Sequence, residues 1–383
     1  MLRAAEGRMR EKTDALWVSS TRLSPWRNEF LGPEHARRQL HDAVEILESP
    51  RQKWMGLGGC FNELGWHALL TLSKAARHRV IQALFDERGC RFNLGRVPIG
   101  ASDYAASWYS LNENEGDFGM RRFSIARDRQ SLIPYIREAL RVQKSLVLFA
   151  SPWSPPAWMK NPPVYNYGTL VWTKQNLDAY ALYFVKFVQA YRREGIKIHQ
   201  VHVQNEPVAD QRFPSCRWTG EQLRDFIRDH LGPAFRKHRI DCEIWLGTLN
   251  AADYNGYVHT VLSDRRANRY ITGVGLQWDG KGALQRTWMS WPEKKLLQTE
   301  NECGDGENTW TYAGYVFELM HHYITNGVNG YVYWNMVLPP DGCSTWGWRQ
   351  NAMITVDPWA GHFTPDFAFE NWQVFVSCCA QTS

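Results

Sequence analysis

The sequence has no regular cysteine pattern. Its eight cysteines contain no C-x-x-C pair and no repeated spacing, so neither a zinc ribbon nor a disulfide framework is indicated. We expect free, buried thiols at these positions, which are Cys60, Cys90, Cys216, Cys242, Cys303, Cys343, Cys378 and Cys379.

The chain also lacks a long apolar run and a large net charge. No stretch approaches membrane-spanning length, and residues 1–30 contain no apolar core of the length found in signal peptides. The 44 basic and 39 acidic residues leave a net charge of +5, which does not favour a polyanionic partner. We therefore predict no membrane span and no nucleic-acid partner. Export is left open, and the chain as printed is expected to be cytoplasmic.

Signatures of several enzyme classes are missing. The glycines of residues 54–63 do not have the G-x-G-x-x-G spacing of a dinucleotide fingerprint, so close backbone packing explains them better. No serine lies in a strand-to-helix elbow, which disfavours a serine hydrolase. His321 and His322 lack carboxylate partners at metal-ligand spacing and are interpreted as packing or surface residues. The sequence predicts no metal and no organic cofactor.

Aromatic residues are abundant. The chain has 19 Trp, 16 Tyr and 17 Phe, and aromatics make up 14% of the sequence. An indole ring offers an apolar face to the C–H face of a sugar and a polar edge to its hydroxyl groups. Because tryptophan also fills protein cores, this composition alone is only a weak indication of a carbohydrate ligand.

Strand and helix patterns alternate through most of the chain. Apolar runs typical of buried strands are centred at about residues 56, 93, 146, 200, 244, 273, 297 and 332. Helical spacing is found at 33–42, 73–85, 130–142, 177–193, 221–237, 257–263 and 312–326, and a compact loop is expected between 277 and 294. Eight strand–helix units over roughly 280 residues predict an α/β fold of the (β/α)8 TIM-barrel class.

Two of the predicted strands end in a glutamate. The alternating run 198–203 leads to Glu206, and Pro207 then prevents further strand pairing. The apolar run 295–299 likewise ends at Glu300. Barrel enzymes carry their chemistry at the carboxyl ends of the strands, so both carboxylates are expected at one cavity. Glycosidic-bond cleavage requires such a pair of carboxyl groups.

The residues around these acids suggest their roles. Glu206 is the candidate acid/base, because Asn205 beside it can hold a sugar 2-hydroxyl and a second, ionised carboxyl keeps Glu206 protonated to higher pH. Glu300 is then the candidate nucleophile, and it is favoured over Glu302 because it lies nearer the barrel. The alternative is that both acids pair with arginines at the barrel rim, and the residues alone leave it open.

Other side chains that follow predicted strands are candidates for sugar binding. Asp103 would bind hydroxyl groups and Trp153 would form a wall of the pocket, but either could be a structural loop anchor. The remaining candidate substrate-binding residues are Asn205, Gln277, Trp278 and Trp334.

Several segments carry a family resemblance. They are GLGGCFNE at 56–63, GRVPI at 95–99 with Asp103, ASPWSPPAWMK at 150–160, QNEP at 204–207, QTE at 298–300, YWN at 333–335 and WGWRQN at 346–351. On these segments, over residues 45–368, the chain resembles glycoside hydrolase family 30, which includes glucosylceramidases, β-glucosidases, β-1,6-glucanases and some β-xylosidases.

The resemblance implies roles for the residues at the motif positions. Glu206 would be the acid/base and Glu300 the nucleophile. The sugar subsite would be lined by Asp103, Trp153, Asn205 and Trp334. The resemblance also implies retention of anomeric configuration, with the two carboxyl groups on the order of 5 Å apart.

Two departures from the family pattern stand out. Many members carry His-Trp-Tyr after the sixth strand, where this chain has Gln277, Trp278 and Asp279, so the subsite beside the nucleophile differs. Members normally attach a β-sandwich built from N-terminal and C-terminal segments. Here we expect that accessory sandwich to be largely missing, in a truncated or frame-shifted form. Its absence would expose apolar barrel surface and favour self-association.

The expected organisation has three parts. Residues 1–50 form a lead-in that is a candidate part of an accessory β element, 51–368 form the catalytic barrel, and 369–383 form an atypical tail. The predicted function is a retaining β-glycosidase that acts on β-linked glucosides or a β-glucan oligosaccharide by double displacement. The alternatives are a β-xylosidase or β-fucosidase of the same family, or a catalytically impaired carbohydrate-binding protein.

Overall fold

Eight parallel strands form a closed barrel. The structure, a computed structural model, describes residues 15–31, 49 and 51–366. The barrel strands, numbered β1 to β8 in chain order, are Gly56–Cys60, Leu94–Pro98, Val147–Ser151, Ile198–His202, Glu243–Leu249, Ile271–Gln277, Lys295–Glu300 and Gly330–Asn335. Each strand pairs in parallel with the next, and β8 pairs with β1 to close the sheet. The prediction of a (β/α)8 barrel with these eight strands is confirmed.

Six of the seven predicted helices are present, and they connect the barrel strands. They are Lys74–Phe85, Leu132–Val142, Lys174–Arg193, a continuous run made of Gly220–Phe226, Ile227–Leu231 and Gly232–Lys237, a shorter run of Asn255–His259 and Thr260–Leu262, and Trp310–Thr325. Their starts are fixed by capping: Ser73, Thr173 and Thr309 each accept a hydrogen bond from a backbone N–H of the first turn. The predicted helix at 33–42 lies outside the described residues.

Three further helices were not predicted: Glu63–Thr71, Arg265–Asn268 and Lys281–Ser290. The expectation of a compact loop between 277 and 294 is therefore wrong, because a 3₁₀ turn at Trp278–Gly280 leads directly into the helix Lys281–Ser290. That helix buries only Ala283, Leu284 and Thr287, so its apolar stripe is too narrow to give a clear helical period in the sequence.

Short strands and turns accompany the barrel. Antiparallel pairs form between Ala15–Thr21 and Ser24–Leu31, and between Lys160–Asn161 and Thr169–Leu170. A small three-stranded sheet joins Val337–Leu338, Ile354–Asp357 and His362–Pro365, and 3₁₀ turns occur at Asp128–Gln130 and Ala157–Met159. The tail at 369–383 lies outside the described residues, and the three-part division of the chain stays a prediction.

The barrel interior is filled by large apolar side chains from five strands. These are Leu94, Phe149, Trp245, Leu297 and Val332. The backbones of β1 and β2 approach closely at Gly58. A Cβ atom there would lie 2.1 Å from the Leu94 carbonyl oxygen, so only glycine fits. The glycines of the first strand therefore serve packing, as expected.

The described cysteines are free thiols. Cys60, Cys90, Cys216 and Cys303 are buried, whereas Cys242 and Cys343 are partly exposed. Cys378 and Cys379 lie outside the described residues. Across residues 15–31 and 51–366, no helix has the length and apolar character needed to cross a bilayer.

Candidate active site

Glu206 stands beyond the carboxyl end of β4. Its φ of 50° is a left-handed conformation that a non-glycine residue adopts when its surroundings hold it there. The backbone N–H of Glu206 donates to the carbonyl oxygen of Thr248, at the end of β5, at 3.0 Å. This bond and the strand end at His202 turn the Glu206 side chain into the cavity at the mouth of the barrel.

Glu300 is the last residue of β7 and is 5% exposed. Its Oε1 accepts a hydrogen bond from Trp278 Nε1 at 2.9 Å. Its Oε2 accepts one from Gln277 Nε2 at 3.2 Å and one from an Arg96 Nη atom at 2.7 Å. Both carboxylate oxygens are therefore held by donors from β2 and from the end of β6.

Arg96 connects Glu300 to the neighbouring strand ends. It is fully buried in β2, and it donates to Asn205 Oδ1 at 2.6 Å and to Ser151 Oγ at 3.0 Å. Its guanidinium carbon lies 4.5 Å from the centre of the Trp153 ring, a cation–π distance. Sequence reasoning gave Arg96 no role, and the available signal was a charged residue inside an otherwise apolar strand. Glu300 thus pairs with an arginine inside the barrel rather than at its rim.

The amide of Asn205 has a defined orientation. Its Oδ1 accepts from Arg96 at 2.6 Å and from Thr248 Oγ1 at 3.1 Å. Because a guanidinium group can only donate, the Asn205 oxygen must face Arg96. The Nδ2 group is left to donate towards the cavity, which Asn205 lines.

The strand ends surround a cavity of about 560 Å³. Six of the eight predicted site residues line it: Asp103, Trp153, Asn205, Glu206, Trp278 and Glu300. The other two, Gln277 and Trp334, are fully buried beside it. Gln277 bonds to both glutamates, and the Trp334 ring centre lies 5.3 Å from that of Trp153.

The outer part of the cavity is lined by residues that are not among the eight predicted site residues. They come from loops that follow β4 to β8, which have no periodic pattern, and they are Val208, Gln211, Phe213, Asn250, Asp279, Gly304, Asp305, Trp348, Arg349 and Gln350. Trp348, Arg349 and Gln350 lie within the WGWRQN segment, so that motif was the available signal.

Asp103 lies at the cavity wall with an unsatisfied oxygen. It is 5% exposed, and its Oδ1 has no hydrogen-bond partner in the described part of the chain. Burial, together with the negative charges of Glu300 and Glu206, raises the pKa of Asp103 well above its ordinary value. An unpartnered buried carboxyl that faces a cavity is a ready partner for a ligand hydroxyl group.

The alternative nucleophile and the two histidines lie elsewhere. Glu302 is absent from the cavity lining, and its carboxylate accepts from Lys281 Nζ at 2.6 Å and from the Tyr315 hydroxyl. His321 and His322 are exposed on the helix Trp310–Thr325. Among the residues that the structure describes, no group of three His, Cys, Asp or Glu side chains could hold a metal ion.

The two cavity glutamates have different electrostatic environments. Burial and the charge of Glu300 raise the pKa of Glu206 to about 8, while the hydrogen bond from Gln277 acts in the opposite direction. Burial also raises the pKa of Glu300, but Arg96, Trp278 and Gln277 all favour its ionised form. The geometry therefore favours a protonated Glu206 beside an ionised Glu300 at neutral pH.

This arrangement of a barrel and strand-end carboxylates agrees with a known family. The model of the glycosyl hydrolase family 30 TIM-barrel domain matches residues 54–369. The chain belongs to glycosyl hydrolase family 30. The resemblance stated from the sequence motifs is thereby confirmed.

The curated relatives of the chain include glucosylceramidases and endo-1,6-beta-D-glucanases. The lysosomal acid glucosylceramidase of Mus musculus is 29% identical over 323 residues, which are 78% of this chain and 62% of that protein. The endo-1,6-beta-D-glucanase of Neurospora crassa is 31% identical over 233 residues, 58% of this chain and 47% of that protein. The chain thus spans about three-fifths of the length of the curated glucosylceramidases that it matches.

A solved structure gives a close match to the fold. SrfJ from Salmonella typhimurium superposes with a TM-score of 0.82 at 26% identity, covering 94% of this chain and 82% of SrfJ. The superposition therefore extends beyond the barrel strands to most of the present chain.

The central contact of this family 30 site is open to a direct test. Arg96→Lys keeps a positive charge, but one ammonium group cannot reach Glu300, Asn205 and Ser151 together. We expect the free energy of unfolding to fall by about 2–3 kcal/mol, the contribution typical of hydrogen bonds to charged groups. Thermal or denaturant unfolding measures the change.

Arg88→Lys is the matched control for this substitution. The Arg88 side chain is 84% exposed and bonds to Asp86 at 3.2 Å, so we expect a change of no more than about 0.5 kcal/mol. If both substitutions lowered the free energy of unfolding equally, the contacts of Arg96 would not stabilise the site as we expect.

Proposed function

We propose that the chain is a retaining β-glycosidase that hydrolyses β-linked glucosides, with Glu206 as acid/base and Glu300 as nucleophile. The observation that carries the proposal is the bridge through Gln277, whose Nε2 donates to Glu206 Oε1 at 3.1 Å and to Glu300 Oε2 at 3.2 Å. One amide group thus joins the two carboxyl groups in a single cavity.

The bridge also bears on stereochemistry. The two oxygens that Gln277 contacts can be no further apart than its two hydrogen bonds laid end to end. These near oxygens therefore lie close together, whereas the carboxyl groups of inverting enzymes are ~6.5–9.5 Å apart and leave room for a water molecule. Retaining enzymes hold their carboxyls about 5 Å apart, so the geometry favours retention.

The proposed first step transfers the glycosyl group to the protein. Glu206 gives its proton to the glycosidic oxygen as the bond from that oxygen to the anomeric carbon breaks. Glu300 attacks the anomeric carbon from the opposite face and forms a glycosyl ester, and the aglycone leaves as an alcohol. The donors around Glu300 hold its carboxylate in one orientation, so little reorganisation is needed during attack.

The second step returns the protein to its starting state. Glu206, now ionised, takes a proton from a water molecule that attacks the anomeric carbon, and the ester bond to Glu300 breaks. The sugar leaves with its original anomeric configuration because inversion has occurred twice. No group outside the described side chains and water is required for this cycle.

Four side chains are proposed to hold the sugar in the cavity. The free Oδ1 of Asp103 is available to a hydroxyl group, and the Nδ2 of Asn205 is available to the 2-hydroxyl. Trp153 and Trp278 present ring surfaces to the cavity. Trp334 lies behind Trp153, and its indole N–H has no partner among the described residues, so a sugar contact for Trp334 also stays a prediction.

The choice of glucose follows the relatives. The mouse and Neurospora proteins have names that refer to glucosyl substrates. The xylanases among the solved structures are no more than 21% identical to this chain and support the fold alone. We therefore propose a glucosidase, and the panel of aryl β-glycosides described below would reveal β-xylosidase or β-fucosidase activity. The complete pair of glutamates favours an enzyme over a binding protein that has lost turnover.

Self-association through the outer barrel surface is a further proposal. Large apolar side chains are exposed on helices around the barrel, namely Leu70, Met289 and Phe317. Exposed apolar groups favour association when they form a patch. Sedimentation velocity over a range of concentrations tests it, and a monomer at every concentration would contradict it.

The roles of the two glutamates are tested on a panel of aryl β-glycosides with glucose, xylose, fucose or galactose. We expect the glucoside to be cleaved, and Glu206→Gln and Glu300→Gln each to lower kcat/KM by about 10²–10⁴-fold or more, because each removes a group that acts in the transition state. Glu302→Gln is the matched control and should retain activity within a few-fold. Preferential cleavage of another glycoside would replace glucose in the proposal, and full activity of either cavity variant would refute its role.

The pH dependence follows from the raised pKa of Glu206. The acid is protonated below its pKa of about 8 and lost above it, so kcat/KM should fall on the alkaline side with an apparent pKa near 8. On the acid side, activity should fall as Glu300 gains a proton, at a pH above the ordinary glutamate pKa. The Glu206→Gln variant should lack the alkaline fall. A parent profile that stays flat through about pH 9 would contradict the assignment.

A further inference from the structure

Gln277 does not contact the cavity, although sequence reasoning made it a candidate for substrate binding. It is the last residue of β6, is fully buried, and is absent from the residues that line the cavity. Its side chain bonds to Arg96, Thr299 and Asn205 and to the two cavity glutamates. Its influence on the reaction must therefore pass through those groups.

One end of the Gln277 amide is fixed by donors. Its Oε1 accepts from Thr299 Oγ1 at 2.8 Å and from an Nη atom of Arg96 at 3.2 Å. Because arginine has no acceptor, the amide oxygen must face Arg96. The Nε2 group is consequently turned towards the two glutamates.

The other end offers two hydrogens to three acceptors. These are Glu206 Oε1 at 3.1 Å, Glu300 Oε2 at 3.2 Å and Asn205 Oδ1 at 3.3 Å. Asn205 Oδ1 already accepts from Arg96 and from Thr248. Charged acceptors bind hydrogens more strongly than neutral ones, so the two carboxyl groups take one hydrogen each.

This arrangement distinguishes the two oxygens of Glu206. Oε1 accepts a hydrogen bond from Gln277, whereas Oε2 has no donor among the described residues. An oxygen that accepts from an N–H group is the poorer place for a proton, because the proton would use electron density that the bond requires. The acidic hydrogen of Glu206 is therefore directed to Oε2.

We propose that Gln277 is a positioning residue that places the catalytic proton of Glu206 on Oε2 and supports the transfer of negative charge between the two glutamates. The proposal rests on the function proposed above. Before the first step the charge is on Glu300. After it, Glu300 is an uncharged ester, and the charge is on Glu206, which has given its proton to the leaving oxygen. The Gln277 amide donates to both groups, so its bond to Glu206 strengthens as that charge develops.

The test compares Gln277→Met with the parent on two glucosides. Phenyl β-glucoside needs protonation of its leaving oxygen, whereas 2,4-dinitrophenyl β-glucoside has a leaving group stable enough to depart almost without it. We expect kcat/KM to fall by about 10²–10³-fold on the phenyl glucoside and by less than about 10-fold on the dinitrophenyl glucoside. KM should change by less than about threefold, because Gln277 does not touch the sugar.

The pH profile gives a readout that a merely structural role would not change. The bond from Gln277 favours the ionised form of Glu206, so its loss in Gln277→Met should move the alkaline fall of kcat/KM to higher pH. Gln298→Met is the matched control: Gln298 is equally buried in β7, and its Oε1 accepts from the Val332 backbone rather than bonding to a glutamate. The control should keep the leaving-group dependence and the pH profile of the parent.

A second variant covers the case in which Gln277→Met does not fold. Gln277→Glu keeps the shape and an acceptor for Arg96 and Thr299, but it presents an oxygen instead of a donor to the two glutamates. It should lose more activity on the phenyl than on the dinitrophenyl glucoside at neutral pH. Equal losses on the two substrates, or a raised KM with unchanged kcat, would overturn the inference alone. A parent that cleaves neither glucoside would overturn the proposed function and the inference with it.

Discussion

The buried ion pair between Arg96 and Glu300 is the interaction on which the rest of the site depends. The two groups meet at 2.7 Å with almost no exposure to solvent. Charges removed from water are destabilising unless further hydrogen bonds satisfy both partners. Arg96 obtains these from Ser151 and Asn205, and Glu300 from Trp278 and Gln277. Because the partners come from different strand ends, satisfying the pair also sets where those ends lie.

The same pair separates the properties of the two glutamates. Glu300 has an adjacent cation and several donors that favour its charged form, whereas Glu206 receives one hydrogen bond from an uncharged amide. Two carboxyl groups in different environments can serve as acid and nucleophile at one pH. In the sequence, Asn205 beside Glu206 suggests the same division of roles, but the arginine that pairs with Glu300 is distant along the chain.

The parts of the fold that could be predicted are those that leave a periodic signal. The eight strands can be predicted because buried parallel strands form short apolar runs. Glu206 and Glu300 can be predicted because each follows such a run at its end. The sequence predicts a loop in place of the helix Lys281–Ser290 because this helix buries few side chains and leaves no clear period. The outer cavity lining comes from loops, whose conformations depend on the barrel that carries them.

What could not be predicted is the convergence of residues distant in sequence. Arg96 and Glu300 are 204 positions apart, and no local pattern joins them. The sequence suggests Gln277 as a substrate-binding residue, yet Arg96 on another strand sets the direction of its amide. These contacts result from barrel closure, which brings all the strand ends to one face.

The most direct test of the central claim is to trap the proposed covalent intermediate. 2,4-Dinitrophenyl 2-deoxy-2-fluoro-β-glucoside slows both steps of a retaining mechanism, and its good leaving group lets the ester accumulate. Mass spectrometry of peptides from the treated protein should find a fluoroglucosyl group on Glu300, and Glu300→Gln should remain unlabelled. Labelling of Glu302 or another residue, or no labelling of a protein that hydrolyses glucosides, would contradict the account.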